Sequence, residues 1–125
     1  MNKKTILIIE DELAILKNIS TILEISGFTC FKANSALKAF EILETLIPDL
    51  ILCDVMMPEL DGFQVLKQLR ENENTKKISF CFLSARADIL DIDYGLSLGA
   101  NGYITKPFSA KDLVQTVQKL LPKNE

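Results

Sequence analysis

The chain has 125 residues, of which 48% are hydrophobic and 25% are charged, and its net charge is −3. This length fits one domain with a substantial core, so we expect residues 1–125 to form one domain in which residues 122–125 are either a terminus or the start of a linker. The acidic balance argues against direct nucleic-acid binding. No apolar stretch approaches the roughly 20 residues of a membrane span and no signal peptide opens the chain, so we expect a cytoplasmic protein.

Histidine is absent from the chain, and cysteine is sparse. Without histidine, Ser-His and Cys-His nucleophiles and His-ligated metal sites are excluded. Cys30, Cys53 and Cys81 lie in apolar runs without C-x-x-C spacing. They are therefore predicted to be small buried side chains rather than a redox or metal site.

Short apolar runs alternate along the chain with longer segments of helical spacing. The first half predicts, in order, a strand Thr5–Ile9, a helix Glu12–Ser26 stopped by Gly27, a strand Thr29–Ala33, a helix from a cap at Asn34 or Ser35 to about Leu46, and a strand Leu50–Cys53 after Pro48. The second half predicts a helix Gly62–Glu71, a strand Ile78–Leu83, a helix Asp88–Leu98 ended by Gly99, a strand Gly102–Thr105, and a last helix begun by a capping box of Ser109 and Asp112. Five successive βα units with evenly apolar strands predict an α/β fold, a parallel sheet covered by helices on both faces.

Polar residues follow the predicted strands at their carboxyl ends. They are Glu10-Asp11-Glu12 after the first strand, Asp54 after the third, Ser84 after the fourth and Lys106 after the fifth. Each alone has an ordinary explanation as a helix-start acid, a turn former, a cap or a solvated lysine. In a parallel α/β sheet, however, these strand ends lie at one edge, where ligands bind. We therefore expect the polar side chains to meet.

Such a cluster needs a cation. Two carboxylates about 5 Å apart repel each other by roughly 3 kcal/mol at an effective dielectric constant of 20. Because all candidate ligands are oxygens, Mg²⁺ is favoured, and Mn²⁺ is an acceptable substitute. With a metal present an anionic phosphoryl group can approach, and Lys106 and Ser84 can each hold one of its oxygens. These are the parts of a phosphoryl-transfer site.

Four motifs, in this order and spacing, resemble the receiver domain of two-component response regulators over nearly the whole chain. They are Ile8-Ile9-Glu10-Asp11, Cys53-Asp54-Val55-Met56-Met57-Pro58 with Asp61-Gly62, Leu83-Ser84-Ala85, and Gly102-Tyr103-Ile104-Thr105-Lys106-Pro107-Phe108. The resemblance implies a flavodoxin-like, doubly wound (βα)5 fold with a five-stranded parallel sheet in the order 2-1-3-4-5. It also implies a signalling switch that is not an enzyme on other substrates and catalyses only its own phosphotransfer and dephosphorylation.

The resemblance assigns Asp54 as the phospho-acceptor. It implies that Asp11, Asp54 and the backbone carbonyl of Met56 bind Mg²⁺ directly, while Glu10 acts through a metal-bound water. The family's commonest pair after the first strand is Asp-Asp, so Glu10 is a departure that keeps the carboxylate but shifts its reach. Since the chain has no histidine, the phosphoryl donor is expected to be a phosphohistidine on a sensor histidine kinase or phosphotransfer protein.

Further roles implied by the resemblance concern the phosphoryl group and the switch. Ser84 and Lys106 would contact the phosphoryl group, and Tyr103 would turn inward when Ser84 moves toward it. A cis bond is expected between Lys106 and Pro107. Met56 and Arg86 lie two residues beyond Asp54 and Ser84 respectively. They are either ordinary loop side chains or, in our hypothesis, flank the phosphoryl group and slow its hydrolysis.

The segment Asp88–Leu98 carries two apolar stripes on a helix. Ile89, Ile92 and Leu96 form one, and Leu90, Tyr94 and Leu98 form the other, while the alternation from Leu90 onward would also suit a strand. One stripe can meet the sheet, and the other has no obvious place in the core. Because the family commonly uses its fourth helix, fifth strand and fifth helix for association, we expect phosphorylation-dependent homodimerisation or partner docking there.

Three other classes of protein are weaker matches to the sequence. A dehalogenase-like aspartyl-phosphate hydrolase would need an aspartate where Met56 stands. A flavodoxin-like cofactor binder would need a phosphate cradle at a helix N-terminus, and Glu10-Asp11-Glu12 would repel a phosphate. A receiver-like module that only binds partners would usually lack a site residue, whereas every expected residue is present.

Overall fold

The structure, a computed structural model, describes residues 3–122; the rest of the suggested linker, residues 123–125, lies outside this range. Its strands are β1 Thr5–Ile9, β2 Thr29–Ala33, β3 Leu50–Asp54, β4 Ser79–Ser84 and β5 Gly102–Thr105. Its helices are α1 Leu13–Ile25, α2 Ala36–Leu43, α3 Gly62–Glu71, α4 Ile89–Ser97 and α5 Ala110–Leu120. None of the helices in the described range is long and apolar enough to cross a membrane.

The five strands form one parallel sheet in the order β2-β1-β3-β4-β5, which confirms the predicted fold and strand order. Alternate residues of β1 face opposite sides of the sheet. On one side, Ile6 and Ile8 pack with Leu16, Ile19 and Leu23 of α1 and Leu113 and Val117 of α5. On the other, Leu7 and Ile9 pack with Ala39 and Leu43 of α2 and Val65, Leu66 and Leu69 of α3. The core therefore has two layers, and both faces of the sheet are covered.

Two strands extend one residue beyond their predicted ends, so two site residues belong to strands. Asp54 is the last residue of β3 and pairs with Leu83, and Ser84 is the last residue of β4 and pairs with Thr105. Backbone pairing therefore fixes the Cα atoms of both residues. The prediction that they follow their strands was wrong by one position, because strand pairing continues past the apolar run.

Helix α2 ends at Leu43, three residues earlier than predicted. Ser35 rather than Asn34 caps it, since the Ser35 hydroxyl accepts a hydrogen bond from the Lys38 N–H. At its end, the Glu44 and Thr45 N–H groups donate to carbonyls three residues back, Glu41 and Ile42 respectively. Such tighter bonds end a helix, and here they turn the chain toward Pro48 and β3.

The segment following β4 is helical, so the strand-like alternative is wrong. Gly95 is the only buried residue of helix α4. A Cβ atom added to Gly95 would lie 2.9 Å from the Phe82 ring, so the helix approaches the sheet most closely at this residue. Both predicted stripes are partly exposed, with Ile89 70% and Leu90 75% exposed. The prediction that one stripe can meet the sheet is confirmed only in part. Leu98 packs against the core and the Tyr94 ring packs against Phe63, whereas Leu90 of the same stripe stays exposed.

Glu59 lies in the loop that joins β3 to α3 and has a φ angle of 67°. The Leu60 N–H donates to the Pro58 carbonyl at 2.8 Å, which closes a γ-turn centred on Glu59. A side chain in the left-handed region costs about 1–2 kcal/mol, whereas glycine adopts it freely. Glu59 is therefore a locally strained residue in the loop that follows Asp54.

Replacing Glu59 with glycine should raise the free energy of unfolding by about 0.5 kcal/mol, because the relieved strain exceeds the gain in unfolded-state entropy. Urea denaturation would measure it. Glu44→Gly is the matched control, since Glu44 is exposed and has a φ of −67°. That control should lose stability, and equal losses in the two variants would contradict the strain at Glu59.

Candidate functional site

The end of β3 is held in place by the start of α3. Asp61 caps this helix in a reciprocal capping box with Gln64, which the sequence analysis did not identify. The Gly62 N–H donates to the Val55 carbonyl at 2.9 Å. A Cβ atom at Gly62 would collide with the Asp54 carbonyl oxygen and lie 2.9 Å from Val55 Cα. The Asp61-Gly62 pair therefore allows α3 to begin directly against the backbone of Asp54.

Three carboxylates converge at this edge of the sheet, as predicted. Glu10, Asp11 and Asp54 each offer an oxygen within 4.8 Å of the others. Glu10 is fully buried, Asp54 is 4% exposed, and Asp11 is half-buried. Because their mutual repulsion acts in a partly dry environment, the cluster favours bound positive charge. Glu12, the fourth acid of the sequence cluster, is exposed, and its N–H donates to Glu10 Oε2 at 3.2 Å.

Lys106 reaches into the carboxylate cluster from the end of β5. Its Nζ lies 2.9 Å from Glu10 Oε1 and 3.4 Å from Asp54 Oδ2. Burial lowers the pKa of Lys106, but the hydrogen bond to Glu10 and the charge of Asp54 outweigh this effect, so its pKa is raised. The ammonium therefore stays charged. The sequence analysis assigned Lys106 to a phosphoryl group and did not foresee that Glu10 is its nearest anionic partner.

Burial also governs the ionisation of Glu10. It raises the pKa of this carboxyl to about 7, although hydrogen bonds from Lys106 Nζ and the Glu12 N–H oppose the shift. A divalent cation near the cluster would favour the ionised form instead. The site is thus built from carboxylates whose charges are only partly compensated by Lys106.

Ser84 and Tyr103 are linked through the backbone of Arg86. The buried Ser84 hydroxyl accepts a hydrogen bond from the Arg86 N–H at 3.0 Å, and the Tyr103 hydroxyl donates to the Arg86 carbonyl at 2.7 Å. The Lys106 N–H donates to the Ser84 carbonyl at 2.8 Å. The ends of β4 and β5 and the loop after β4 therefore form one hydrogen-bonded unit.

The residues predicted to flank the site differ in where their side chains lie. The Met56 N–H donates to Asp54 Oδ1 at 3.2 Å, and the Met56 side chain is 58% exposed. The Arg86 guanidinium pairs with Asp91 of α4, with Nε 3.7 Å from Oδ2. The bond between Lys106 and Pro107 is cis. Met56 thus stands beside the carboxylate through its backbone, while the Arg86 side chain contacts α4.

The donor set fits a hard divalent cation. Three carboxylates within 4.8 Å of one another supply the oxygen ligands that Mg²⁺ prefers. Cys53, which precedes Asp54, and Cys81, within β4, are both buried, and burial raises the pKa of each, so neither has an available thiolate. Cys30, the third cysteine, is half-buried rather than buried as predicted. A soft-metal site is therefore not favoured here.

A family model, the response regulator receiver domain, matches residues 6–118. The chain is 41% identical to the alkaline phosphatase synthesis transcriptional regulatory protein PhoP of Bacillus subtilis, over 100% of this chain and 51% of that protein. It is 37% identical to the phosphate regulon transcriptional regulatory protein PhoB of Pseudomonas aeruginosa, over 94% of this chain and 52% of that one. The chain thus spans about half the length of the curated relatives it matches.

Solved structures of receiver proteins are similar to this one. The chemotaxis protein CheY4 of Vibrio cholerae superposes with a TM-score of 0.91 at 26% identity, covering 96% of this chain and 100% of that one. The receiver domain of a sensor histidine kinase from Pseudomonas aeruginosa, which has a magnesium ion coordinated in its active-site cleft, gives a TM-score of 0.86 at 28% identity over 95% and 98% of the two chains. None of these similarities supports a dehalogenase-like hydrolase. The chain belongs to the response regulator receiver domain family.

Proposed function

We propose that Asp54 accepts a phosphoryl group from a phosphohistidine on a sensor histidine kinase or phosphotransfer protein. The observation that carries this proposal is the position of the Asp54 carboxylate, which lies at the end of a strand, within 4.8 Å of Glu10 and Asp11 and 3.4 Å from Lys106 Nζ. Asp54 Oδ1 accepts the Met56 N–H, and Oδ2 faces Lys106 Nζ. Both carboxylate oxygens are therefore oriented before the donor arrives, which lowers the entropic cost of the reaction.

In the proposed reaction an Asp54 carboxylate oxygen attacks the phosphorus atom. An O–P bond forms, the P–N bond to the partner's imidazole breaks, and its electron pair returns to the imidazole nitrogen, which regains a proton from solvent. Lys106 binds a phosphoryl oxygen and balances its charge. Asp11, Asp54 and the Met56 carbonyl would hold Mg²⁺, with Glu10 acting through water, and Mn²⁺ could substitute. The bound cation would neutralise charge on the transferred group.

The proposed switch uses the hydroxyl of Ser84. A phosphoryl group on Asp54 would offer this hydroxyl an anionic acceptor, and charge-assisted hydrogen bonds are stronger than neutral ones. If Ser84 turned toward it, the Arg86 N–H would lose its acceptor and the loop that also binds Tyr103 would be released. Tyr103 is half-buried beside Phe82, with ring centroids 5.7 Å apart, and would then move inward.

Treatment with acetyl phosphate and Mg²⁺ should add one phosphoryl group, because Asp54 is the acceptor and the cation offsets the repulsion of the carboxylates. Intact-protein mass spectrometry would measure the added mass. A chelator or Asp54→Asn should each abolish it. Asp112→Asn, at an exposed acid in the first turn of α5 outside the cluster, is the control and should still be labelled. Full labelling of the Asp54→Asn variant would refute the assignment.

A second proposal concerns the lifetime of the phosphorylated form. We expect Met56→Ala to shorten it, since the Met56 N–H binds Asp54 Oδ1 and the exposed side chain of the same residue would limit the approach of water. Arg86→Ala should have a smaller effect, because the guanidinium pairs with Asp91. Loss of radiolabelled phosphoryl group with time would measure both rates. A half-life that is unchanged or longer in both variants would exclude shielding.

The surface of α4 supports a proposal about output. Ile89 and Leu90, near the start of the helix, project with at least 70% of their surfaces exposed. The Tyr94 side chain is less available to a partner than Leu90, because its ring packs against Phe63 with centroids 4.9 Å apart. Leu90 is thus the better probe of association. We propose that phosphorylation changes association through the face formed by α4, β5 and α5, most simply by homodimerisation.

Beryllofluoride with Mg²⁺ should convert the protein from monomer to dimer, and Leu90→Glu should prevent this without affecting Asp54 phosphorylation. Burying a charge at such an interface costs more than the lost apolar contact. Sedimentation velocity would detect the change. Ile25→Glu is the matched control, since Ile25 is 81% exposed on α1, and it should still dimerise. A wild-type protein that stays monomeric would remove the dimer from the proposal.

A further inference from the structure

A groove lies between α1, the end of β2 and the start of α2, and none of its lining residues belongs to the carboxylate cluster. It has a volume of about 400 Å³ and is lined by Leu13, Leu16, Lys17, Lys32, Asn34 and Lys38. Leu13 is 66% exposed, although it is a large apolar residue, while Leu16 below it is 5% exposed. The groove therefore has an apolar floor that is open to a ligand.

Three lysines surround this floor, one from each bordering element. Lys17 comes from α1, Lys32 from β2 and Lys38 from α2, and all are exposed. In the described part of the chain, every ion pair within 4.0 Å involves Lys76, Arg86 or Lys106, so none of the three lysines is paired. The chain as a whole carries a net charge of −3, which makes this concentration of unpaired positive charge a local feature.

The position of Lys38 makes the groove more attractive to an anion. Lys38 is the third residue of α2, where its N–H donates to the Ser35 cap. The N-terminal turn of a helix carries partial positive charge, so a lysine side chain there is disfavoured unless an anion approaches. The helix end and the three ammonium groups thus contribute positive potential to the same groove.

We infer that this groove binds an acidic, amphipathic helix of a partner protein. Apolar side chains of the helix would cover Leu13, while its carboxylates would pair with Lys17, Lys32 and Lys38. A nucleic acid would match the charge but would leave the apolar floor at Leu13 uncovered, and this favours a protein ligand. The inference does not depend on the reaction proposed for Asp54.

The probe is a fluorescein-labelled helical peptide of about four turns, with leucines along one face and glutamates flanking them. Fluorescence anisotropy at low salt should show saturable binding, and amide chemical shifts should change at Leu13, Lys17, Lys32 and Lys38. Replacing the three lysines together with glutamine should weaken binding about tenfold, as expected for three exposed ion pairs. A peptide with glutamine in place of glutamate should bind comparably weakly.

The matched control replaces Lys77, Lys111 and Lys119 with glutamine. These exposed lysines lie outside the groove, and their loss changes the net charge equally. The control should keep full affinity, and both triple variants should still be phosphorylated on Asp54. The inference is overturned if no peptide binds, if both triple variants weaken binding equally, or if a labelled DNA duplex binds the groove more tightly. Peptide-free self-association that the groove variant abolishes would also overturn it, since the occupant would then be a second copy.

Discussion

The structure of the site depends on one lysine that faces two carboxylates. Lys106 Nζ is within 3.4 Å of oxygens on both Glu10 and Asp54, while Asp11 adds a third acid nearby. Removing one partner from such a buried group leaves uncompensated charge and costs far more than the pair itself contributes. Lys106 therefore allows Glu10 to be fully buried beside Asp54. The single positive charge of Lys106 does not balance the negative charge of the three carboxylates, and this remaining negative charge favours a divalent cation.

The order of the strands explains why residues far apart in sequence share this site. β3 lies between β1 and β4, so Cys53 pairs with Ile9 and Asp54 with Leu83. β5 joins the far side of β4, which places Lys106 just after the Ser84–Thr105 pair. All of these strands run in the same direction, and their carboxyl ends therefore meet at one edge. The helices cover both faces of the sheet and leave this edge accessible.

The sequence was sufficient to predict the fold and the meeting of the strand-end residues. Evenly apolar runs identified the strands, and the rule for parallel sheets then brought Glu10, Asp54 and Lys106 together. It was not sufficient where tertiary contacts decide the outcome. The partial exposure of both stripes of α4 follows from the close approach of Gly95 to Phe82, which periodicity does not encode. The strain at Glu59 likewise depends on the path from β3 to α3 rather than on propensity.

Helix α4 is anchored differently at its two ends, and this difference bears on how a signal could leave the site. Beyond its C-terminal end, the Gly99 carbonyl accepts two hydrogen bonds from the Arg70 guanidinium, at 3.2 and 2.8 Å, and another guanidinium nitrogen binds the Ile78 carbonyl at 2.8 Å. Before its N-terminal end, residues 85–88 are all exposed, and Arg86 is held by the hydroxyls of Ser84 and Tyr103. In the proposed switch, a rotation of Ser84 would break a contact before the N-terminal end of α4 and leave the Arg70 contacts at Gly99 in place, so α4 would move more at its N-terminal end than at its C-terminal end.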